Sequence, residues 1–243
     1  MGCEAHSLLS FMRYYAIPDI HGMFNILEQC FLAIEKHVDD DYHYGSQKNY
    51  KIITLGDYID RGPDSARVIQ CLMDTQKKWP LICLKGNHED IMMRTFKEKL
   101  SPEWWFCNGG EATVRSYGAK RDGMYWEYNH YAVPMQHRDW VDQLPLFHET
   151  DKHVFVHAGV PADDLDLKDQ NEERLMWMLY ARDDPGGFRG KHVVHGHHIH
   201  EDGPHEWDYR TALDTGSFYT NRQVIGVFDD TQGRAKEFIE IRV

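Results

Sequence analysis

The sequence has few cysteines and pairs none of them: five in 243 residues, at positions 3, 30, 71, 83 and 107, with no CxxC spacing. An odd, scattered set excludes a disulfide framework and a zinc-thiolate cluster, and it suits a reducing cytoplasm. Long apolar runs are missing too. The longest spans about seven residues, Leu175 to Ala181, against the roughly 18 that a membrane-spanning helix needs. Basic residues are in the minority, 27 Lys and Arg against 39 Asp and Glu, which gives a net charge of -12. Without a basic face, nucleic acid is not the expected partner, and an anionic substrate has to be attracted locally. The N-terminus lacks the basic-then-apolar pattern of a signal peptide, and His6 stands where a myristoylation signal needs Ser or Thr. Residues 1–11 read as an extension ahead of a single domain covering 12–243.

Short apolar stretches alternate with helical periodicity through the first half. Tyr14 to Ile17 reads as a buried strand ending at Pro18, and Ile26, Leu27, Cys30, Phe31 and Ile34 place a helix over 23–37. Asp39 to Asn49 is polar and reads as a surface loop. A strand over 51–55 precedes a helix that Asp64 can cap and that runs to about Lys78, and a further strand covers Leu81 to Leu84. This repeat predicts parallel strands with right-handed crossovers. Ser101-Pro102-Glu103 starts another helix, and Pro134 to Leu144 forms one more. From Pro145 onward an antiparallel hairpin (145–148 with 153–156) and strands near 191–194, 211–214, 223–228 and 235–241 follow without long helices between them. The expected fold is α/β (α+β): two stacked mixed β-sheets with helices outside, the second sheet largely antiparallel.

Gly56-Asp57-Tyr58-Ile59-Asp60-Arg61-Gly62 puts two carboxylates and a guanidinium in one loop directly after a strand. An aspartate there can bridge two divalent cations, because each carboxylate oxygen is free to bind a different ion, while the arginine forks onto phosphate oxygens. Similar junctions supply Asp19 and His21, Asn87, His157 and His197. With Asp57 they make six candidate ligands of mixed oxygen and nitrogen type, suited to two first-row transition metals and a metal-bound water as nucleophile. His88, with Asp60 orienting its imidazole, is the expected general acid. Arg61, Asn87 and Arg182 are the expected phosphate-binding residues.

Asp19-Ile20-His21-Gly22, the 56–62 loop, Gly86-Asn87-His88-Glu89, His157-Ala158-Gly159 and Gly196-His197 resemble the five signatures of calcineurin-like metallophosphoesterases of the phosphoprotein phosphatase type. The resemblance runs from residue 12 to about 241. Segment 105–118 and Leu213-Asp214-Thr215-Gly216 are similar to the bacterial and phage serine/threonine phosphatase branch. The resemblance implies a β-sandwich with flanking helices and two divalent metals, manganese first, with iron or zinc as alternatives. It also implies hydrolysis of a phosphoprotein, a phosphopeptide or a small phosphorylated molecule, at phosphoserine or phosphothreonine or with dual specificity. Three departures stand out: Pro18 replaces the usual glycine before the first aspartate, Tyr180 replaces the tryptophan that usually lies two residues before the second arginine, and His198 stands where threonine often follows the last ligand. The alternative function is hydrolysis of diadenosine tetraphosphate or of an RNA 5′-end pyrophosphate, and a silent phosphate-binding scaffold is the remote one.

Other features have plainer expected roles. Among the six histidines between 192 and 205, only His197 reads as a ligand, with His195 and His198 supporting it. Trp104 and Trp105 read as packing, Leu175 to Met178 as core, and the acidic run 162–173 as a solvated loop.

Overall fold

The computed structural model describes residues 11–41, 49–98, 101–122, 125–126 and 133–243. In chain order the elements are β1 (Arg13–Ile17), α1 (Phe24–Asp41), β2 (Tyr50–Thr54), α2 (Ser65–Gln76), β3 (Leu81–Cys83), α3 (Asn87–Lys97), α4 (Glu103–Cys107) and α5 (Gly110–Ser116). The small hairpin β4 (Arg121–Asp122) and β5 (Tyr125–Trp126) and then α6 (Met135–Asp142) come next. The second half holds β6 (Phe147–Glu149), β7 (His153–Val156), α7 (Glu172–Trp177), β8 (His192–His195), β9 (His205–Glu206), β10 (Arg210–Ala212), α8 (Ser217–Thr220), β11 (Arg222–Asp229) and β12 (Glu237–Arg242).

Two five-stranded sheets result, in the orders β12-β11-β1-β2-β3 and β6-β7-β8-β10-β9. The period-2 alternation of strand side chains explains why they stack. In β1, Tyr14 and Ala16 join Ile53, Phe155, Val194, Leu213 and Phe228 in a core shared by both sheets. Tyr15 and Ile17 face the other way, into the helix-covered core with Ile26, Leu27, Ile34, Ile69 and Leu72. In β7, Phe155 points inward, while Val154 and Val156 pack outward against Leu167, Leu175 and Phe188.

The sheets are mixed as expected, but the second is not largely antiparallel. β7, β8 and β10 run parallel, and only the edge strands β6 and β9 are reversed. A parallel crossover needs chain length rather than a long helix, and 157–191 provides it with the six-residue α7. The last two strands do not extend that sheet as a meander. β11 and β12 add antiparallel to the free edge of β1 in the first sheet.

Local boundaries also moved. α1 continues to Asp41, three residues into the expected loop; residues 42–48 of that loop and extension residues 1–10 lie outside the described residues. Asp64 occupies the N-cap of α2, but its side chain makes no capping bond. Ser101 Oγ does accept the Glu103 amide, at 3.4 Å. No described helix is long and apolar enough to cross a membrane.

Candidate active site

The chemistry-bearing segments all leave the C-terminal ends of parallel strands: 18–23 after β1, 55–62 after β2, 84–86 after β3 with Asn87 and His88 opening α3, 157–159 after β7, 196–198 after β8 and 213–216 after β10. Open parallel sheets form their clefts at this edge, because consecutive connections diverge there. Backbone bonds lace the loops together. Ile20 and His21 amides donate to Asp57 O at 3.0 and 2.8 Å, and the Gly62 amide donates to His21 O at 3.0 Å. His21, Asp57, Asp60, Arg61 and His197 all adopt positive φ, between 43° and 71°. Each costs about 1–3 kcal/mol for a non-glycine residue, so these conformations persist only because their surroundings over-determine them.

Glu89 does much of that work, although the sequence reading gave it no task. Its Oε2 accepts the amides of Asp57 (2.8 Å) and Gly86 (3.0 Å), and its Oε1 accepts that of Tyr58 (2.8 Å). Burial and the nearby Asp57 charge raise its pKa to about 8. Gly86 is required by contact: an added Cβ would lie 2.1 Å from Asp57 Oδ1.

Asp57 is at the centre of the constellation. Its Oδ2 lies 3.6 Å from His21 Nε2 and 3.9 Å from His88 Nε2, while its Oδ1 lies 3.5 Å from His157 Nε2. Two groups capable of holding a metal therefore share this one carboxylate: His21 with His88, and His157 with His197. Burial would raise the Asp57 pKa, but His157, His88, His21 and His197 together hold the carboxyl well below the usual range. Burial in turn depresses His21 and His157, and takes His197 to about 3, leaving neutral imidazoles of the kind that bind metals.

The donor set fits divalent cations on two observations. His21 Nδ1 donates to Ile59 O and His157 Nδ1 to Leu55 O, both at 2.9 Å, which turns each Nε2 lone pair toward Asp57. His157 Nε2 then faces Asn87 Oδ1 at 2.8 Å, with His197 Nδ1 at 3.1 Å from the same oxygen. With its Nδ1 proton given to Leu55 O, neutral His157 presents Nε2 as an acceptor to the acceptor Asn87 Oδ1, a pair that a cation between them would satisfy. Asp19 Oδ1 accepts the His197 amide at 3.0 Å, whereas its buried Oδ2 has no hydrogen-bond partner among the described residues. Burial and the charges of Asp214 and Asp57 raise the Asp19 pKa, the signature of crowded carboxylates lacking a positive charge. Asp214, itself pushed to about 6 mainly by burial, entered the sequence reading only through a motif likeness.

The expected acid pair is assembled. His88 Nδ1 donates to Asp60 Oδ2 at 2.7 Å, leaving Nε2 toward the site. Burial would depress His88, but the Asp57 charge and the Asp60 hydrogen bond outweigh it and raise its pKa. Asp60 is held in turn by Thr113 Oγ1 (2.6 Å) and by Trp105 Nε1, which reaches both oxygens at 2.9 and 3.0 Å. Trp105 is therefore more than packing. Arg61 donates to His21 Nε2 at 2.9 Å and to His88 Nε2 at 3.1 Å, with its guanidinium 4.8 Å over the ring of Phe218.

Three of the residues singled out in the sequence have surroundings that the sequence alone did not show. Arg182 is exposed and lines a cavity with His198, the residue after His197. Trp177 packs against the helix-covered core as a half-buried side chain, and it also lies 6.2 Å from the His197 ring and stacks on exposed Trp104 at 6.2 Å and 14°. His195 is buried against Tyr180 at 5.2 Å and hydrogen-bonds Gly196 O rather than a ligand.

Residues 12–227 match the family of calcineurin-like phosphoesterases, so the chain belongs to that family and is a metal-dependent phosphoesterase. Among its curated relatives, serine/threonine-protein phosphatase 1 of Salmonella typhimurium is 27% identical over 191 residues, covering 75% of this chain and 77% of the relative. The asymmetrical bis(5′-nucleosyl)-tetraphosphatase PrpE of Oceanobacillus iheyensis is 25% identical over 245 residues, covering 95% and 92%. A serine/threonine phosphatase structure from Saccharomyces cerevisiae superposes with TM-score 0.60 at 16% identity over 96% of this chain and 80% of its own, a likeness of fold.

Proposed function

We propose that this site hydrolyses phosphate esters or anhydrides by direct transfer of the phosphoryl group to water. The observation that carries the reading is the division of Asp57, one oxygen toward His21 and the other toward His157. Asp19, His21 and Asp57 would hold one divalent cation, and Asp57, Asn87, His157 and His197 the other. Their nitrogen and oxygen donors suit manganese first, and iron or zinc as well. When bound, such a pair supplies charge neutralisation for the phosphoryl oxygens and acidifies water to a nucleophile near neutral pH.

The chain's own groups do the rest. Arg61 offers a planar fork to the non-bridging oxygens and is kept in place by Phe218. His88 Nε2 would carry the proton for the leaving oxygen once Arg61, which donates to that nitrogen at 3.1 Å, turns onto the phosphoryl oxygens, while Asp60, gripped by Trp105 and Thr113, fixes the tautomer and stabilises the imidazolium. No protein nucleophile is needed.

Segment 105–118, whose wording is similar to the protein phosphatase branch, serves Asp60 through Trp105 and Thr113. It supports the acid, which any phosphoryl transfer here would use, rather than a particular leaving group. A serine/threonine phosphatase and a dinucleoside tetraphosphatase are therefore both substrate readings of one site, supported respectively by the two relatives named above.

The test is an initial-rate comparison on metal-stripped protein restored with manganese, using phosphoserine, phosphothreonine and phosphotyrosine peptides against diadenosine tetraphosphate. Asp57→Asn should abolish turnover. His88→Asn should keep both metals by elemental analysis yet lose on the order of 10²- to 10⁴-fold on poor leaving groups. Metal loss in His88→Asn would make His88 a ligand and overturn its role as acid.

A further inference from the structure

A cavity of about 540 Å³ begins at His198, the residue after His197. One wall is the chain following α7, with Tyr180 and Arg182; the other runs from β8 to β10, with His200, Trp207 and Arg210. The walls are tied together. Arg210 Nε donates to Asp184 O at 2.8 Å, and Trp207 Nε1 donates to Arg182 O at 3.1 Å. The Arg210 guanidinium lies 3.2 Å from the Trp207 ring centroid and 4.8 Å from that of Tyr180. The loop carrying Arg182 is thereby fixed to the loop carrying the histidines, so the cavity has a defined shape.

Its polar groups lack an anion. Arg210 is buried and makes no ion pair among the described residues; carbonyl oxygens and aromatic faces hold it instead. His200 Nε2 is buried without a hydrogen-bond partner. Burial, first of all, then His198, His205 and Arg210 depress His200 to about 4, with Asp202 opposing them, which keeps the imidazole neutral beside the Arg210 guanidinium. Asp202 is occupied by His205 at 3.0 Å, which leaves Asp183 as the remaining carboxylate of the lining. In a chain of net charge -12, a concave site with two guanidinium groups and imidazole donors is a local receptor for anions.

We propose that this cavity is a second anion subsite, holding the phosphoryl groups next to the one attacked at Asp57, so that the site favours polyphosphate chains such as nucleoside polyphosphates over lone monoesters. The proposal rests on the phosphoesterase reading above. In the reaction, the water oxygen forms a new P–O bond as the anhydride P–O bond breaks. The electron pair of that bond leaves with the departing phosphate, and water gives up one proton to solvent. Arg182 and Arg210 receive the charge left on the departing chain.

The experiment compares wild type with His200→Glu, both restored with the same manganese concentration, on p-nitrophenyl phosphate, diadenosine tetraphosphate and a phosphothreonine peptide. Tripolyphosphate is added as a competitor of p-nitrophenyl phosphate. In His200→Glu, kcat/KM on the dinucleotide should fall about tenfold and tripolyphosphate inhibition should weaken by a similar factor, while p-nitrophenyl phosphate stays within about twofold. His205→Glu should show the same pattern and replaces His200→Glu if circular dichroism finds the latter unfolded. Unchanged dinucleotide turnover, or an equal fall on all substrates, overturns the subsite. A fall confined to the phosphopeptide assigns the cavity to a peptide and overturns the proposal equally. Absence of manganese-dependent turnover in wild type would instead remove the phosphoesterase reading itself.

Discussion

Trp105→Phe isolates how the buried acid pair is held. Asp60 is fully buried, and its two oxygens accept bonds from Trp105 Nε1, Thr113 Oγ1 and His88 Nδ1. Phenylalanine keeps an aromatic ring near Phe96, whose centroid is 5.8 Å from that of Trp105, yet it removes the one N–H that both oxygens share. A hydrogen bond to a charged group contributes about 1.5–3 kcal/mol, and the missing ring volume adds about 1 kcal/mol of cavity cost. The expected destabilisation is about 2.5–4 kcal/mol, read as a shift in urea midpoint at constant slope. A less satisfied carboxylate also aligns His88 poorly. Turnover of a phosphoserine peptide, whose alkoxide must be protonated, should fall on the order of 10- to 100-fold, with a much smaller fall for p-nitrophenyl phosphate, whose leaving group needs little help. Equal losses on the two substrates would refute the idea that Trp105 acts through Asp60 and His88, and would leave it a packing residue.

Two further outcomes follow from close contacts and burial. Gly86→Ala would bring a methyl group to 2.1 Å from Asp57 Oδ1 and 2.4 Å from its amide nitrogen; since Gly86 has an ordinary φ of -97°, the clash alone should displace Asp57. Elemental analysis should then find less manganese than in wild type, and full occupancy would contradict the geometry. His153 and His192, bonded to Gly233 O and to Thr211 respectively, are held at about 4 by burial. Their folded pKa is below the unfolded 6.5, so their neutral state supports the fold above pH 6.5 and that support is lost as pH falls toward 4. The loss is on the order of 3 kcal/mol each. Urea midpoints should drop across that window, and His153→Gln should flatten the slope; an unchanged slope would exclude His153 as a source.

The ligand loops were legible because their chemistry is local. Asp19 and His21 are two residues apart in one turn, and Asp57, Asp60 and Arg61 share one loop, so residue type and spacing sufficed. Strand faces were legible for the same reason: the alternation in Tyr14 to Ile17 is the alternation between the two cores. The orientation of the second sheet was not, because nothing local distinguishes a strand that pairs parallel after a 35-residue excursion from one that turns back.

Glu89 was hidden because it accepts the amides of Asp57 and Tyr58 from a distant loop as well as that of its own helix cap, Gly86, and amides of a distant loop leave no trace in a sequence. Trp105 and Thr113 converge on Asp60 from more than forty positions away. Arg182 is the reverse case: the chain provides a second arginine, but the clamp of Arg210 and Trp207 on its loop puts it beside His198.

The sequence by itself determined the donor atoms, the helices and strands that carry them, and the class of chemistry they can perform. These are properties of side chains and of neighbours a few residues apart. Only the tertiary structure decided which oxygen of Asp57 faces which histidine, what holds Asp60, and where the second arginine lies. Each of those depends on distances between segments far apart in the chain, and packing of the two sheets is what sets them.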